Sequence, residues 1–169
     1  APTRKVTRLH ERGRRHFKNL ATLTGRDGEY DPATLLDDLR RILWETAGIQ
    51  RTDAELARGL AALATLQEKA SNLTLGPRTG RAFEFALDLG FGLLVAESIL
   101  RSARERTESR GAHYRTDYPK QRAGWRRNVR AERDSVGTMR LTTATVDEPS
   151  DAVQRALDAD YELDYHQLE

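Results

Sequence analysis

The residues best suited to chemistry in this 169-residue chain are packed into one short segment, Glu108-Ser-Arg-Gly-Ala-His-Tyr-Arg-Thr-Asp-Tyr-Pro119. It offers two guanidinium groups (Arg110, Arg115), one imidazole (His113), two carboxylates (Glu108, Asp117) and an aromatic hydroxyl (Tyr118). Arginine pairs with carboxylates or phosphates through two parallel N–H donors, and histidine changes charge near neutral pH. Such density in a loop points to contacts beyond the local core. His113 has two readings from its position: a helix-end histidine bonded to a carbonyl, or a docking group that acts with the flanking arginines. Glu108 and Asp117 are then the candidates for internal ion-pair partners.

The segment is delivered by an apolar run, Phe83 to Arg106, and Gly111 is free to break that helix because it has no Cβ. The run is apolar on more than one face, through Phe83, Leu87, Phe91, Leu94, Ile99 and Leu100, with Ala86, Gly90 and Gly92 between them. A helix apolar all round is a buried one, so it is expected at the centre of the molecule with a neighbour close against its small residues. Upstream, Val6, Leu9, Phe17, Leu20 and Leu23 predict an amphipathic helix over 4–24. Asp31-Pro32 supplies a cap and a first-turn proline for a helix carrying Leu35, Leu36, Leu39, Ile42 and Leu43, ended by Gly48. Thr52-Asp-Ala-Glu55 is a capping box for a third helix bearing Leu56, Leu60, Leu63, Leu66, Ala70 and Leu73. Trp44 falls where the second stripe should be core, and either packing or binding accounts for it. Trp125 could seat a hairpin or meet a partner.

Gly76-Pro-Arg-Thr-Gly80 is a break, and after Pro119 the pattern shortens and alternates. Trp125 to Glu132 and Met139 to Val146, joined by Arg133-Asp-Ser-Val-Gly137, predict a two-stranded hairpin that must lie on the bundle or on a partner. Pro149-Ser150-Asp151 can cap a last helix to Asp158. The expected organisation is one domain over 1–169: helices over about 4–106, the arginine-rich loop over 107–120, the hairpin over about 124–146 and an acidic tail over 147–169.

Composition narrows the function classes. No cysteine is present, which excludes disulfides, thiolate metal sites and cysteine nucleophiles. His10 and His16 are six apart on the predicted helix and His166 lies in the tail, so no histidine pair shares a helical face and no metal site is expected. The longest strongly apolar run, Phe91 to Ala96, is far short of the about 20 residues that cross a bilayer. No G-x-G-x-x-G phosphate-binding turn occurs, so the chain itself is expected to hold no FAD and to be catalytically inert. Net charge is +2, yet residues 1–18 and 101–133 are strongly basic and 147–169 acidic. Only four of the 28 cations are lysine, which favours stacked or bidentate use of arginine. Basic patches of this kind also fit a free-standing helical module that binds nucleic acid or an acidic protein.

Thr107-Glu-Ser-Arg-Gly-Ala-His113, with Arg115, Asp117 and Pro119, resembles the signature near the end of succinate dehydrogenase and fumarate reductase flavoprotein subunits. L-aspartate oxidases carry a close variant. Leu39-Arg-Arg-Ile-Leu-Trp-Glu-Thr-Ala-Gly-Ile-Gln-Arg51 is similar to the family's Leu-x-x-x-Met-Trp-x-x-x-Gly-Ile-x-Arg stretch, and the helices 53–66 and 87–100 match its flanking helices. Ala112 before the histidine sits closer to the dehydrogenase and reductase pattern than to the oxidases. The acids usual before the closing tryptophan are replaced by Lys120-Gln-Arg-Ala-Gly124.

The resemblance implies an all-α fold, an antiparallel helical bundle with a spectrin-like three-helix core and a short C-terminal β-hairpin. It implies that the chain, which starts at Ala1 and has its only methionine at 139, is the far end of a longer flavoprotein. FAD would then belong to the parent, and the partners would be its FAD-binding and capping domains and an iron–sulfur subunit. No nucleic acid and no direct membrane insertion is expected, and the setting is the cytoplasm or the cytoplasmic face of a membrane complex. Arg110, Gly111, His113, Arg115, Asp117 and Tyr118 are the expected interdomain contacts, with no catalytic, cofactor-binding or metal residue. The side chains of Arg110, His113 and Arg115 are expected to be exposed and of small consequence for the domain's own stability, whereas Gly111→Ala is expected to destabilise it if the glycine ends the helix with a positive φ.

Overall fold

The computed structural model describes residues 27–75 and 81–159. The predicted helix over 4–24, the break at 76–80 and the end of the acidic tail lie outside them. Helix α1, Pro32–Ala47, starts where Asp31 accepts a hydrogen bond from the Thr34 amide at 2.9 Å, with Pro32 in its first turn. Helix α2, Asp53–Ala70, is capped by Thr52, whose hydroxyl accepts from the Glu55 amide at 3.1 Å. Glu55 reaches back to that same hydroxyl at 2.9 Å, a variation on the capping box expected. Helix α3, Arg81–Glu105, completes the set, and each helix packs on the other two.

Leucine dominates their common core: Leu35, Leu36 and Leu39 from α1, Leu56, Leu63 and Leu66 from α2, Leu89, Leu93 and Leu100 from α3. Two glycines set the closeness of packing. A Cβ on Gly59 would lie 2.4 Å from the Thr46 hydroxyl and 2.8 Å from Leu100, so the three helices meet there. One on Gly92 would lie 2.8 Å from Leu39, which brings α1 onto α3. Thr46 is buried at this crossing and returns its hydroxyl proton to the Ile42 carbonyl at 2.7 Å.

Two expectations about apolar faces need correction. α3 is not buried all round. Its Ala86, Leu89, Leu93, Ala96, Leu100 and Ala103 face the core, while Phe91, Leu94 and Ile99, expected inside, face outwards with Val95. A three-helix core has room for only one stripe of each helix, so the second stripe stays uncovered. Trp44 is likewise 78% exposed, because the core-facing positions of that last turn are taken by Ile42, Leu43 and Thr46.

Four short strands add to the helices. β1, Gln50–Arg51, pairs in parallel with β2, Tyr114–Arg115, in the register Gln50↔Tyr114 and Arg51↔Arg115. Strands of two residues leave no periodicity, and nothing in the sequence announced them. β3, Arg127–Arg133, and β4, Met139–Thr145, form the expected antiparallel hairpin, with Arg133 opposite Met139. Asp134 organises its turn by accepting from the Val136 and Thr138 amides at 3.0 and 2.9 Å, and Gly137 takes φ +89°. Met139 is buried, and the hairpin rests on α3. Trp125 sits before it in a 3₁₀ turn, Ala123–Trp125, and helix α4, Asp151–Asp158, follows. The described part is thus mostly helical with a small antiparallel hairpin.

Candidate functional site

The arginine-rich loop starts where α3 ends, and its first task is to satisfy that end. The last carbonyls of a helix have no partner within it and carry a partial negative charge. The Arg115 guanidinium donates one nitrogen's protons to the Ala103 and Arg104 carbonyls at 3.1 and 3.2 Å. Its other face grips Asp117 twice, Nε to Oδ1 at 2.7 Å and the second terminal nitrogen to Oδ2 at 2.6 Å. Asp117 also accepts from the backbone amide of Asp53 at 2.9 Å, at the opening of α2. One arginine–carboxylate pair therefore joins the C-terminal end of α3 to the N-terminal end of α2.

Arg115 is 0% exposed, which overturns the expectation that it is a surface docking group. Its donors are spent inside the chain, where β2 holds its backbone against β1 and the Ser109 hydroxyl accepts from its amide at 2.9 Å. Tyr118 lies between two cations, with the Arg115 and Arg122 guanidinium carbons 4.9 and 5.1 Å from its ring centre.

A second carboxylate, Glu108, is equally enclosed at 0% exposure. It accepts from Arg106 at 2.6 Å, from Arg110 at 2.8 and 3.1 Å, and from the Arg122 amide at 2.8 Å. Arg106 continues to the hairpin, donating to the carbonyls of Trp125 at 2.9 Å and of Arg127, with its guanidinium over the Trp125 ring. The Trp125 indole N–H donates to the Thr107 hydroxyl at 2.9 Å, so this tryptophan seats the hairpin. Arg110 keeps a side chain 40% exposed, but it too is tied to the buried carboxylate.

His113 closes a tight turn. Arg110 and His113 exchange backbone hydrogen bonds of 2.8 and 3.0 Å across Gly111-Ala112, and Gly111 takes the positive φ, +56°, that favours glycine. The ring is bonded on both nitrogens: Nδ1 lies 3.0 Å from an Arg51 guanidinium nitrogen and Nε2 3.2 Å from the Arg106 carbonyl. Arginine only donates and a carbonyl only accepts, so Nδ1 is the bare nitrogen and Nε2 carries the proton. The helix-end reading is the one this geometry carries.

The electrostatics follow. Hydrogen bonds from Arg110, and further ones from the Arg122 amide and Arg106, outweigh the cost of enclosure and hold the Glu108 carboxyl down at about 2. Asp117 is likewise held at about 2, chiefly by Arg115. Burial lowers the pKa of His113, and the charges of Arg51, Arg106 and Arg115 add to that, against the opposing bond to the Arg106 carbonyl. At neutral pH both carboxylates are ionised and the imidazole is neutral, with every ring nitrogen occupied. None of the three is poised to move a proton near neutrality. Among the described residues, no group of three or more His, Asp or Glu side chains comes together as metal ligands.

Arg51 entered the sequence reading only as the last position of the Gly-Ile-x-Arg stretch, and it, Asp53 and Arg106 were not among the expected site residues, though each acts in the network. The available signal was the position of Arg51 after Gly48-Ile49 and of Arg106 one residue beyond α3. Beside the loop lies a cleft of about 350 Å³ lined by Arg106, Arg110, His113, Trp125, Arg126 and Arg127. Glu148 answers part of its charge by pairing with Arg126 at 3.2 Å.

Residues 36–165 match the family profile described as fumarate reductase flavoprotein C-term. The chain is 35% identical over 130 residues to a fumarate reductase (CoM/CoB) of Methanothermobacter marburgensis, covering 75% of this chain and 23% of that one. It is 40% identical over 84 residues to the L-aspartate oxidase of Yersinia pestis, covering 50% of this chain and 15% of the relative. The solved structure of an Escherichia coli quinol fumarate reductase superposes with a TM-score of 0.74 at 28% identity, over 89% of this chain and 26% of that one. The chain thus spans about a quarter of the length of the fumarate reductases it matches.

Proposed function

The chain belongs to the fumarate reductase flavoprotein C-terminal family, and from that premise we propose that it works as the helical buttress of an FAD-dependent succinate dehydrogenase or fumarate reductase. The observation that carries this reading is the closed state of the signature loop. Its carboxylates are held ionised by bonds within the chain, and burial beside three arginines keeps its histidine neutral. Such a network shapes and stiffens a surface; the parent's two-electron dicarboxylate chemistry would be done through FAD held by the preceding domains. The bundle is of the spectrin-like type, and residues 1–169 act as one domain within the parent.

On this reading the loop meets the FAD-binding and capping domains at its tip. The outer edge of Arg110 and the exposed Gly111 and Ala112 make the contact, and His113, Asp117 and Tyr118 hold the tip in place. An iron–sulfur subunit is a further neighbour in the assembled enzyme, at the cytoplasmic face of a membrane. No described helix is long and apolar enough to cross one.

The test is the complete product of the reading frame that encodes this chain. It should purify with stoichiometric FAD, whereas residues 1–169 alone stay colourless. Ala112→Arg should lower flavin retention in the complete product and leave the melting temperature of 1–169 unchanged, since this side chain is exposed. A product without flavin would sink the reading; full retention in Ala112→Arg would remove the loop tip from the interface.

A further inference from the structure

Resting on that reading, we propose that the outward face of α3, around Gly90, Phe91, Leu94 and Val95, seats a backbone segment from the remainder of the flavoprotein. This face lies opposite the buried leucine row and is uncharged from Leu89 to Ala96. Phe91 is 57% exposed and Val95 54%, large apolar surfaces to leave in water on one helix. With the hairpin it forms a groove of about 440 Å³, lined by Leu94, Val95, Ile99 and Met139 and, on the hairpin side, by the charged Glu132 and Arg133.

Gly90 says how closely the occupant approaches. Glycine within a helix destabilises it relative to alanine, so its presence wants a steric reason. Gly59 and Gly92 have theirs in contacts that a Cβ would violate. At Gly90 a Cβ would meet nothing within 4 Å. The missing side chain thus clears space on the outside of the helix, where a neighbouring backbone could reach α3 directly. The rest of the flavoprotein is the occupant that the lengths favour, because this chain accounts for only 23% and 26% of two of its fumarate reductase relatives. The same helix ends in the signature loop, so one domain seated on α3 would cover both the apolar face and the loop tip.

The chain lacks cysteine, so Val95→Cys creates a single thiol in residues 1–169. Maleimide labelling of that thiol, followed by peptide mass spectrometry, is compared between 1–169 and the complete product. It should label freely in 1–169 and at least about tenfold more slowly in the complete product, where labelling would need local opening. Gly90→Ala should raise the melting temperature of 1–169 by about 2 °C through helix propensity. The same change should lower that of the complete product, where the new methyl meets the occupant. A flavin-bearing product in which the introduced thiol labels as fast as in 1–169 overturns the docking and leaves the flavoprotein reading standing. Slow labelling already in 1–169 also overturns it, by assigning the face to residues 4–24 if independent of concentration, or to a second copy if relieved by dilution. A complete product without flavin removes the reading above and this inference with it.

Discussion

A guanidinium carries five N–H donors in a rigid fork, and Arg115 directs four of them to two helix-end carbonyls and one carboxylate. Its enclosure makes the guanidinium costly to lose, because deleting Arg115 leaves a cavity and two α3 carbonyls without their donor, although Asp117 itself keeps a side chain 30% exposed. Arg115→Ala should therefore destabilise residues 1–169 by about 3 kcal/mol or more, read by denaturant unfolding. Arg115→Lys should recover little of it, since an ammonium cannot grip Asp117 twice while capping α3. Arg110→Ala should cost less, about 1–2 kcal/mol, because Glu108 keeps its bonds from Arg106 and the Arg122 amide. An Arg115→Ala protein as stable as the unsubstituted one would mean that Asp117 and the α3 carbonyls find water, and the clasp would be structurally idle.

The elements show why some of this was legible and some was not. Caps and stripes are local, so Asp31, Thr52 and the leucines of α1 and α2 announced their helices from spacing alone. The alternation around Arg133-Asp-Ser-Val-Gly137 announced the hairpin in the same way. The side that stays uncovered is a property of the assembly, which is why Phe91, Leu94 and Trp44 were misplaced in the core. Burial of Arg115 was equally hidden, since it depends on Asp117, the α3 end and the β1–β2 pairing arriving together. Gly111 was expected to end the preceding helix, but α3 stops at Glu105, and the positive φ of +56° serves the Arg110–His113 turn instead. Nothing crowds that position, so the whole effect of Gly111→Ala should be backbone strain of about 1 kcal/mol, or a few degrees in a thermal melt of 1–169. An unchanged melt would show that the turn relaxes to another type without penalty.

Over the whole molecule, these groups make acid stability a two-stage property. The folded state lowers the pKa of His113 below its ordinary 6.5, so it favours the neutral ring that the unfolded chain protonates more readily. The stability this group adds is complete above about pH 6.5 and is lost as pH falls through the folded value. Protonation would put a proton on Nδ1, against the Arg51 guanidinium 3.0 Å away. Glu108 and Asp117 act lower, because their folded values of about 2 lie below the ordinary 4.5 and 3.8. Their contribution is complete above about pH 4.5 and disappears as pH falls towards 2, when both arginine clasps lose their counter-charges. Unfolding free energy of 1–169 should thus decline gently below neutrality and steeply below about pH 4.5. His113→Gln should flatten the upper decline and leave the lower one, because an amide side chain does not titrate. Asp117→Asn should reduce the lower decline while destabilising the protein at neutral pH, where the lost charge leaves Arg115 enclosed without its partner. If the upper decline survives in His113→Gln unchanged, another histidine drives it, and the Arg51–His113–Arg106 bridge is not the acid-sensitive joint of this domain.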